Sequence, residues 1–394
     1  MCSFHKQLDN MELFLAEDLT YEILLYLPIA SLTRFKSVCK SWLSLIESSK
    51  FITQHHQQQF EENLFVLTSS FIESPEFSIG ISLLSGIKFH VSHNFDLPQP
   101  FTMTDQYVNL IASCNGIICL EHCCNLEPTK QDFFLLNPAT KQFKLLPTSP
   151  LPKSTEELRV NVICAGFGFD SKTNAYKVVR VAATSIRSFD TRVDIYSSST
   201  NSWRTIDVVV PEGFTYNYKY LKIPFRKEIY CWLGQEVLSG EDDTLTLLNT
   251  IITFDFSKEV FETMALPNVY SVVDDDGGGQ FGLELALLRG NIACIGRTKF
   301  QTLEDKLEWS IWMLNEYGVK DSWTKLYTVS LDYNVYPISI FKNEEIICRR
   351  RPYNFKAELE LLLFYPVTQD GKSLRFFLSK LFNMNSRLLF TRRA

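Results

Sequence analysis

The 394 residues are 45% hydrophobic and 21% charged, an ordinary globular balance that argues against a disordered or fibrous chain and suits one small unit beside one large one. The formal net charge of −6 leaves no global basic field for nucleic acid; from Phe341 onward Lys and Arg outnumber Asp and Glu by 11 to 5, so the rest carries −12 and invites a basic partner. The first residues show no apolar core of signal-peptide length, and no run reaches the ~18 apolar residues of a membrane span, so no membrane partner is expected. Cys39, Cys164, Cys231, Cys294 and Cys348 sit singly in apolar stretches. That pattern predicts buried thiols in a reducing compartment, cytoplasmic or nuclear.

From Leu13 to Leu27 the chain reads LFLAEDLTYEILLYL, with Leu15, Leu19, Ile23 and Leu27 recurring every four residues on one helical face. Pro28 ends that helix because it lacks a backbone donor and restricts Leu27 before it. Ser31 is the expected N-cap of a second short turn holding Leu32 and Phe35. A third helix, SVCKSWLSLI, places Val38, Trp42 and Leu45 on one stripe, and residues 53–62 read as a polar helical spacer. Three helices this short bury too little surface to stand alone. Their surplus apolar face therefore meets a partner or caps the next domain, and periodicity alone does not choose between the two.

The order of residue types chooses. Leu15, Glu17-Asp18-Leu19, Glu22-Ile23-Leu24, Leu27-Pro28, Ser31-Leu32, Arg34-Phe35-Lys36, Val38-Cys39-Lys40 and Trp42 resemble the F-box, as does the tail Leu45-Ile46, Ser48-Ser49 and Phe51. The sequence departs from that pattern at Ala16, where Pro is usual, and at Tyr26, where Arg is common. The resemblance implies docking to a Skp-family adaptor, and through it to a cullin and a RING subunit. Leu15, Leu19, Ile23, Leu27, Pro28, Leu32, Val38 and Trp42 match the family's adaptor-facing positions.

Past residue 63 the pattern turns to β-formers, and one unit recurs: an apolar run, a turn centred on Asn, Asp or Ser, an aromatic, and a second short run. It appears at 133–147, 193–207, 251–267 and 310–327, and more weakly at 361–377. A shorter apolar strand precedes each copy, at 116–120, 176–181, 228–233, 291–296 and 345–350. Phe143, Trp203, Phe261 and Trp323 mark a period of about sixty residues, somewhat longer than the ~50 of a kelch repeat. Paired hairpins at this spacing favour a β-propeller over an array of β-sandwiches. Residues 63–105, completed by the C-terminal LLFTRR strand, supply a sixth copy. The expected fold is therefore α+β overall: three helices at 10–52, the spacer at 53–62, and an all-β propeller of about six blades at 63–394.

These repeats carry a second resemblance. Cys114-Asn115-Gly116-Ile117-Ile118-Cys119, Leu136-Asn137-Pro138-Ala139-Thr140, Gly166-Phe167-Gly168-Phe169-Asp170 with Tyr176-Lys177-Val178-Val179, and Val193-Asp194-Ile195-Tyr196 with Ser202-Trp203-Arg204 resemble the plant F-box-associated domain over about 105–330. Glu316-Tyr317-Gly318-Val319 with Ser322-Trp323 is similar to the S-locus F-box subgroup. That similarity implies recognition of basic S-ribonucleases in pollen self-incompatibility, by a non-catalytic subunit of an SCF-type ubiquitin ligase that uses no cofactor.

Other constellations read as structure. Cys114, Cys119, His122, Cys123 and Cys124 lack the paired spacing of a zinc site and read as core thiols plus a loop. All six histidines fall in the first third, and no nucleophile elbow or phosphate loop is present, so catalysis is not expected. Asp274-Asp275-Asp276-Gly277-Gly278-Gly279 reads as a solvated turn, and Arg349-Arg350-Arg351 as a solvated cluster. Phe214, Tyr216, Tyr218 and Tyr220 alternate on one strand face, either packing between blades or exposed for recognition. Segments 121–132, 182–192, 234–249, 297–308 and 351–358 join the same two strands of successive units and so emerge on one face. Glu236, Glu241, Asp242 and Asp243 make one of them acidic, a candidate contact for a basic protein target.

Overall fold

A computed structural model describes residues 17–48, 50–52, 54–55, 64–72, 78–85, 90–96, 106–124, 131–138, 140–149, 161–183, 191–211, 222–226, 228–239, 245–267, 282–297, 306–340, 344–350, 360–374 and 388–392. Three helices come first, α1 (Glu17–Leu25), α2 (Ile29–Phe35) and α3 (Lys40–Glu47). Their ends differ from the expected ones for local reasons. The backbone at Pro28 (φ −59°, ψ 147°) makes it the N-cap of α2, and its carbonyl accepts the N–H groups of Ser31 and Leu32, so Ser31 lies inside the helix. The third helix begins at Lys40 because Cys39 is extended (φ −158°), which leaves Val38 in the connection between helices.

Among the described residues, six four-stranded antiparallel sheets follow. One is composite: the strands β1 (Leu64–Ile72), β2 (Ser78–Ser85) and β3 (His90–Asp96) are joined by the C-terminal β24 (Leu388–Arg392), which pairs with β1. The other five each use four consecutive strands. The second holds β4 (Gln106–Cys114), β5 (Ile117–Cys124), β6 (Gln131–Asn137) and β7 (Gln142–Leu145). The third holds β8 (Asn161–Asp170), β9 (Ala175–Ala183), β10 (Thr191–Ser197) and β11 (Ser202–Ile206). The fourth holds β12 (Lys222–Arg226), β13 (Ile229–Ser239), β14 (Leu245–Asp255) and β15 (Val260–Ala265). The fifth holds β16 (Leu283–Leu288), β17 (Asn291–Arg297), β18 (Lys306–Leu314) and β19 (Trp323–Asp332). The sixth holds β20 (Val335–Ile340), β21 (Ile346–Arg350), β22 (Glu360–Tyr365) and β23 (Asp370–Leu374). Strand β4 packs on β8 and β24, and β16 packs on β12 and β20. The first strands of the sheets thus converge at the centre, as in a propeller.

The turns explain why the hairpins repeat. Between β4 and β5, Asn115 (φ 47°) and Gly116 (φ 74°) make the left-handed two-residue turn that matches strand twist, and Arg289 (φ 52°) with Gly290 (φ 80°) does the same between β16 and β17. The outer hairpins use four-residue turns whose last residue is left-handed: Lys141, Asn201, Glu259 and Gln369. Side chains at the turn starts replace missing backbone partners. Asn137 Oδ1 accepts the N–H of Thr140 (3.3 Å), and Asp255 Oδ1 accepts those of Ser257 (2.8 Å) and Lys258 (2.9 Å).

Neighbouring sheets are fastened by buried apolar faces and a few polar clasps. Val179, Val181, Ile195, Phe167, Tyr230, Trp232 and Phe254 form one continuous core across the second to fourth sheets. Gly166 is required there, since a Cβ would lie 2.7 Å from Trp232 Cζ2. Lys177, buried in β9, donates to Asp170 (2.8 Å), to Glu259 (2.8 Å) and to the carbonyl of Phe256 (2.9 Å), joining the third sheet to the fourth. Arg204 also pairs with Glu259. Burial opposes ionisation of Asp170, but hydrogen bonds from Lys177, Thr173, Ser257 and the Lys172 N–H outweigh it and hold the carboxyl well below its usual range. Between the second and third sheets, Trp203 donates to Pro147 O (2.7 Å), packs on Phe133 and lies under Arg180, which in turn pairs with buried Asp194 (3.3 Å). Trp323 repeats the arrangement two sheets on, between the fourth and fifth, donating to Ala265 O (3.1 Å).

Candidate docking surfaces

The helices close around Leu24, Leu25, Leu32, Ile46 and Phe51, all buried. Tyr21 meets Phe51 edge-on at 5.5 Å, and Phe35 meets Trp42 at 5.5 Å. Residues 50–52 and 54–55 are helical, and His55 is buried, stacked on Phe51, with its Nε2 2.8 Å from Leu27 O. Part of the expected polar spacer therefore belongs to this small core. A surface pair, Lys36 with Glu47 (3.1 Å), adds about 0–1 kcal/mol at most.

Helix α1 is apolar on two sides, and only one packs. Leu24 and Leu25 face inward, while Leu19 (55% exposed) and Ile23 (49%) face outward, with Val38 (59%) exposed after α2. Of the residues matched to the docking motif, Pro28 is also exposed, Leu27 and Trp42 are half-buried, Leu32 is a core residue, and Leu15 lies outside the described residues. Tyr26, where the motif commonly has Arg, is exposed as well, as are Leu43 and Ile52, which are not among the matched docking positions. Cys39, expected to be buried, is exposed because it caps α3 rather than lying within it. Its thiol, hydrogen-bonded with Ser41 (3.1 Å) and facing the Trp42 N–H, is held below its ordinary pKa. Cys231, Cys294 and Cys348 are buried and Cys164 half-buried.

In the sheets, the second and third strands, β5 with β6, β9 with β10, β13 with β14, β17 with β18 and β21 with β22, are antiparallel neighbours, and the connections that join them, at 125–130, 184–190, 240–244, 298–305 and 351–359, lie outside the described residues. Strand β13 runs on to Ser239, so Glu236 sits within it opposite Leu248, not in a loop. Glu241, Asp242 and Asp243 lie outside the described residues, as do Phe214, Tyr216, Tyr218, Tyr220 and the stretch 274–279. Arg349 and Arg350 are half-buried in β21 rather than solvated; Arg350 pairs with Glu360 (2.8 Å) and Asp332 (3.3 Å). Burial pushes the half-buried Glu284 carboxyl up to about 8, against the pull of Arg349. Cys114, Cys119 and His122 are buried in β4 and β5. Among the described residues no group of three or more His, Cys, Asp or Glu side chains is placed to hold a metal, and no helix is long and apolar enough to cross a membrane.

Residues 13–54 match the F-box domain, and residues 64–358 match the F-box associated beta propeller domain. An F-box carried by such a propeller defines a substrate receptor of an SCF-type E3 ubiquitin ligase, binding a Skp1 adaptor at one end and a protein substrate at the other. The chain belongs to the plant F-box proteins that carry this domain. It is 27% identical over 342 residues to the F-box protein CPR1 of Arabidopsis thaliana, covering 82% of this chain and 75% of that one. It is 28% identical over 325 residues to F-box protein At5g49610 from the same plant, covering 80% and 79%. Among solved structures, the beta-propeller domain of the Trilobed protease from Pyrococcus furiosus superposes with a TM-score of 0.36 at 10% identity, over 73% of this chain and 80% of that one. So loose a likeness adds nothing to the assignment.

Proposed function

We propose that the chain captures a basic protein on the propeller end from which the second-to-third connections emerge, and presents it for ubiquitin transfer by a cullin and RING module without performing chemistry itself. The favoured target is a basic S-ribonuclease, whose positive charge suits the acidic body of the chain. The −12 charge borne ahead of Phe341 and the acidic run at Glu236, Glu241, Asp242 and Asp243 support a cationic partner. In this reading the F-box at 10–52 takes in His55 from the spacer that follows, the propeller of about six blades runs over 63–394, and the chain works in the cytoplasm or nucleus.

Adaptor docking in this reading uses Leu15, Leu19, Ile23, Leu27, Pro28, Val38 and Trp42, with Leu32 acting from beneath by holding α2 on the core. The observation that carries it is the outward exposure of Leu19, Ile23 and Val38, apolar surface that the small core leaves uncovered. Replacing Ile23 and Val38 together with Glu is expected to abolish co-purification with a plant Skp-family adaptor and cullin while leaving the propeller's thermal transition unchanged. Retained co-purification refutes the docking reading. For the target, recombinant S-ribonucleases are tested by pull-down against the native chain and against one whose segment 234–249 comes from a paralogue. Equal binding by both chains, or by neither, removes the proposed role of that segment.

A further inference from the structure

The helical module presents one large aromatic side chain at a position where the docking motif commonly has Arg and where none of the matched adaptor-facing residues falls. At 100° per residue, Leu19, Ile23 and Tyr26 fall within an arc of about 60° on α1 and the turn that follows it. Tyr21, Leu24 and Leu25 point away from that arc and pack against the core. Tyr26 is 70% exposed, more than Leu19 or Ile23 beside it. Its backbone is nonetheless held on both sides. The Tyr26 N–H donates to Ile23 O (3.2 Å), the Leu27 N–H to Leu24 O (3.1 Å), and the buried His55 ring grips the Leu27 carbonyl at 2.8 Å. An exposed tyrosine on a fixed backbone has little conformational freedom to lose on binding, and its ring offers a large apolar face with a polar tip.

We propose that Tyr26 is a further anchor of the adaptor-docking surface, placing its ring against the adaptor beside Leu19 and Ile23. This rests on the adaptor-docking reading above. An aromatic contact also has a signature that a charged side chain at this place lacks. Affinity gained from a ring is nearly insensitive to salt, whereas affinity gained from an ion pair is screened over a Debye length of about 10 Å at 0.1 M ionic strength.

The test measures binding of the full-length chain to a recombinant plant Skp-family adaptor, at low and moderate salt, for Tyr26→Ala, Tyr26→Phe, Tyr26→Arg and Ile23→Ala, with Val367→Ala on an exposed propeller turn as the control. Tyr26→Ala is expected to weaken binding by about 10-fold, and Tyr26→Phe to stay within about 3-fold of the native chain. Tyr26→Arg keeps the helical circular dichroism signal, since an exposed Arg suits a helix end, yet binds more weakly and with a steeper dependence on salt. If Ile23→Ala loses affinity while Tyr26→Ala and Tyr26→Arg bind within about 2-fold of the native chain with its salt dependence, the anchor is refuted and the docking reading stands. If Ile23→Ala and Tyr26→Ala both bind as the native chain does, the docking reading falls and takes the anchor with it. Should Tyr26→Ala lose helical signal, the decision rests on Tyr26→Arg by the same criteria.

Discussion

Replacing Lys177 with Met tests whether the clasp between the third and fourth sheets stabilises the propeller. Its ammonium is the shared partner of Asp170, which is almost fully buried, and of Glu259, and it also donates to the Phe256 carbonyl. Removing one partner of a buried pair typically costs about 3–5 kcal/mol because the remaining charge stays buried without compensation. The lower end applies here, since Arg204 continues to pair with Glu259 and Asp170 keeps its hydrogen bonds from Thr173, Ser257 and the Lys172 N–H. With a urea m-value of about 3 kcal/mol/M, a loss of that size lowers the unfolding midpoint by about 1 M. The pH dependence has a definite sign. Asp170 and Glu259 both have folded pKa values held below their ordinary ones, so the clasp stabilises the fold above the unfolded carboxylate range of about 4 and is lost as pH falls through the folded values. In Lys177→Met the two carboxylates are relieved by protonation, so the gap between native and variant midpoints narrows from pH 7 toward pH 4. Equal urea midpoints at pH 7, or a gap that widens in acid, refute the reasoning.

Two further outcomes follow from single side chains. Gly166→Ala drives a methyl group to within 2.7 Å of Trp232 and 3.0 Å of Tyr230, which is expected to cost about 1–3 kcal/mol and to change the tryptophan emission of the folded state. Glu284 has a folded pKa raised to about 8 by burial, above the unfolded value of about 4.3, so its ionisation opposes folding as pH rises through that window. Glu284→Gln therefore leaves the thermal midpoint nearly unchanged near pH 4 and raises it at pH 8, which a pH series of melting curves checks.

Much of the propeller was legible because its outer hairpins write their own turns. The sequences NPATKQ, SSSTNS and DFSKEV each carry a left-handed residue at their fifth position and start at a strand whose neighbour is the preceding apolar run. The innermost strands were not legible on the same terms. KIPFR in β12 is short and contains proline, and LELALL in β16 is built of good helix formers; both become strands because the ring needs an inner member at that place. The docking motif was read directly, but its outward and inward sides were not separated. Helix α1 has apolar residues on two sides, so only packing shows that Leu24 and Leu25 face in while Leu19 and Ile23 face out. Leu32, a docking position by resemblance, is buried in the core, and Tyr26, which the sequence marks only as a departure from Arg, is exposed.

The family phrases of the propeller are mostly clasps, and this bears on what they reveal about the target. Asp170 and Lys177, from GFGFD and YKVV, are spent on the joint with Glu259; Trp203 is spent on Pro147, Phe133 and Arg180; Tyr196 is tied to Asn201 (3.0 Å). Trp323, from the S-locus-like wording, is held by Ala265 O, and Tyr317 by Thr253 (3.1 Å). A residue buried in such a joint presents little to a partner, so likeness in these phrases reports a shared propeller rather than a shared substrate. On the proposed reading, selectivity resides in side chains that the joints leave uncommitted, on the connections between second and third strands. Exchanging the Trp203 joint for that of a paralogue is accordingly expected to alter the melting temperature and leave target choice alone, whereas exchanging segment 234–249 does the reverse. A change of target preference caused by the joint exchange, in a chain whose melting curve is unaltered, refutes this division.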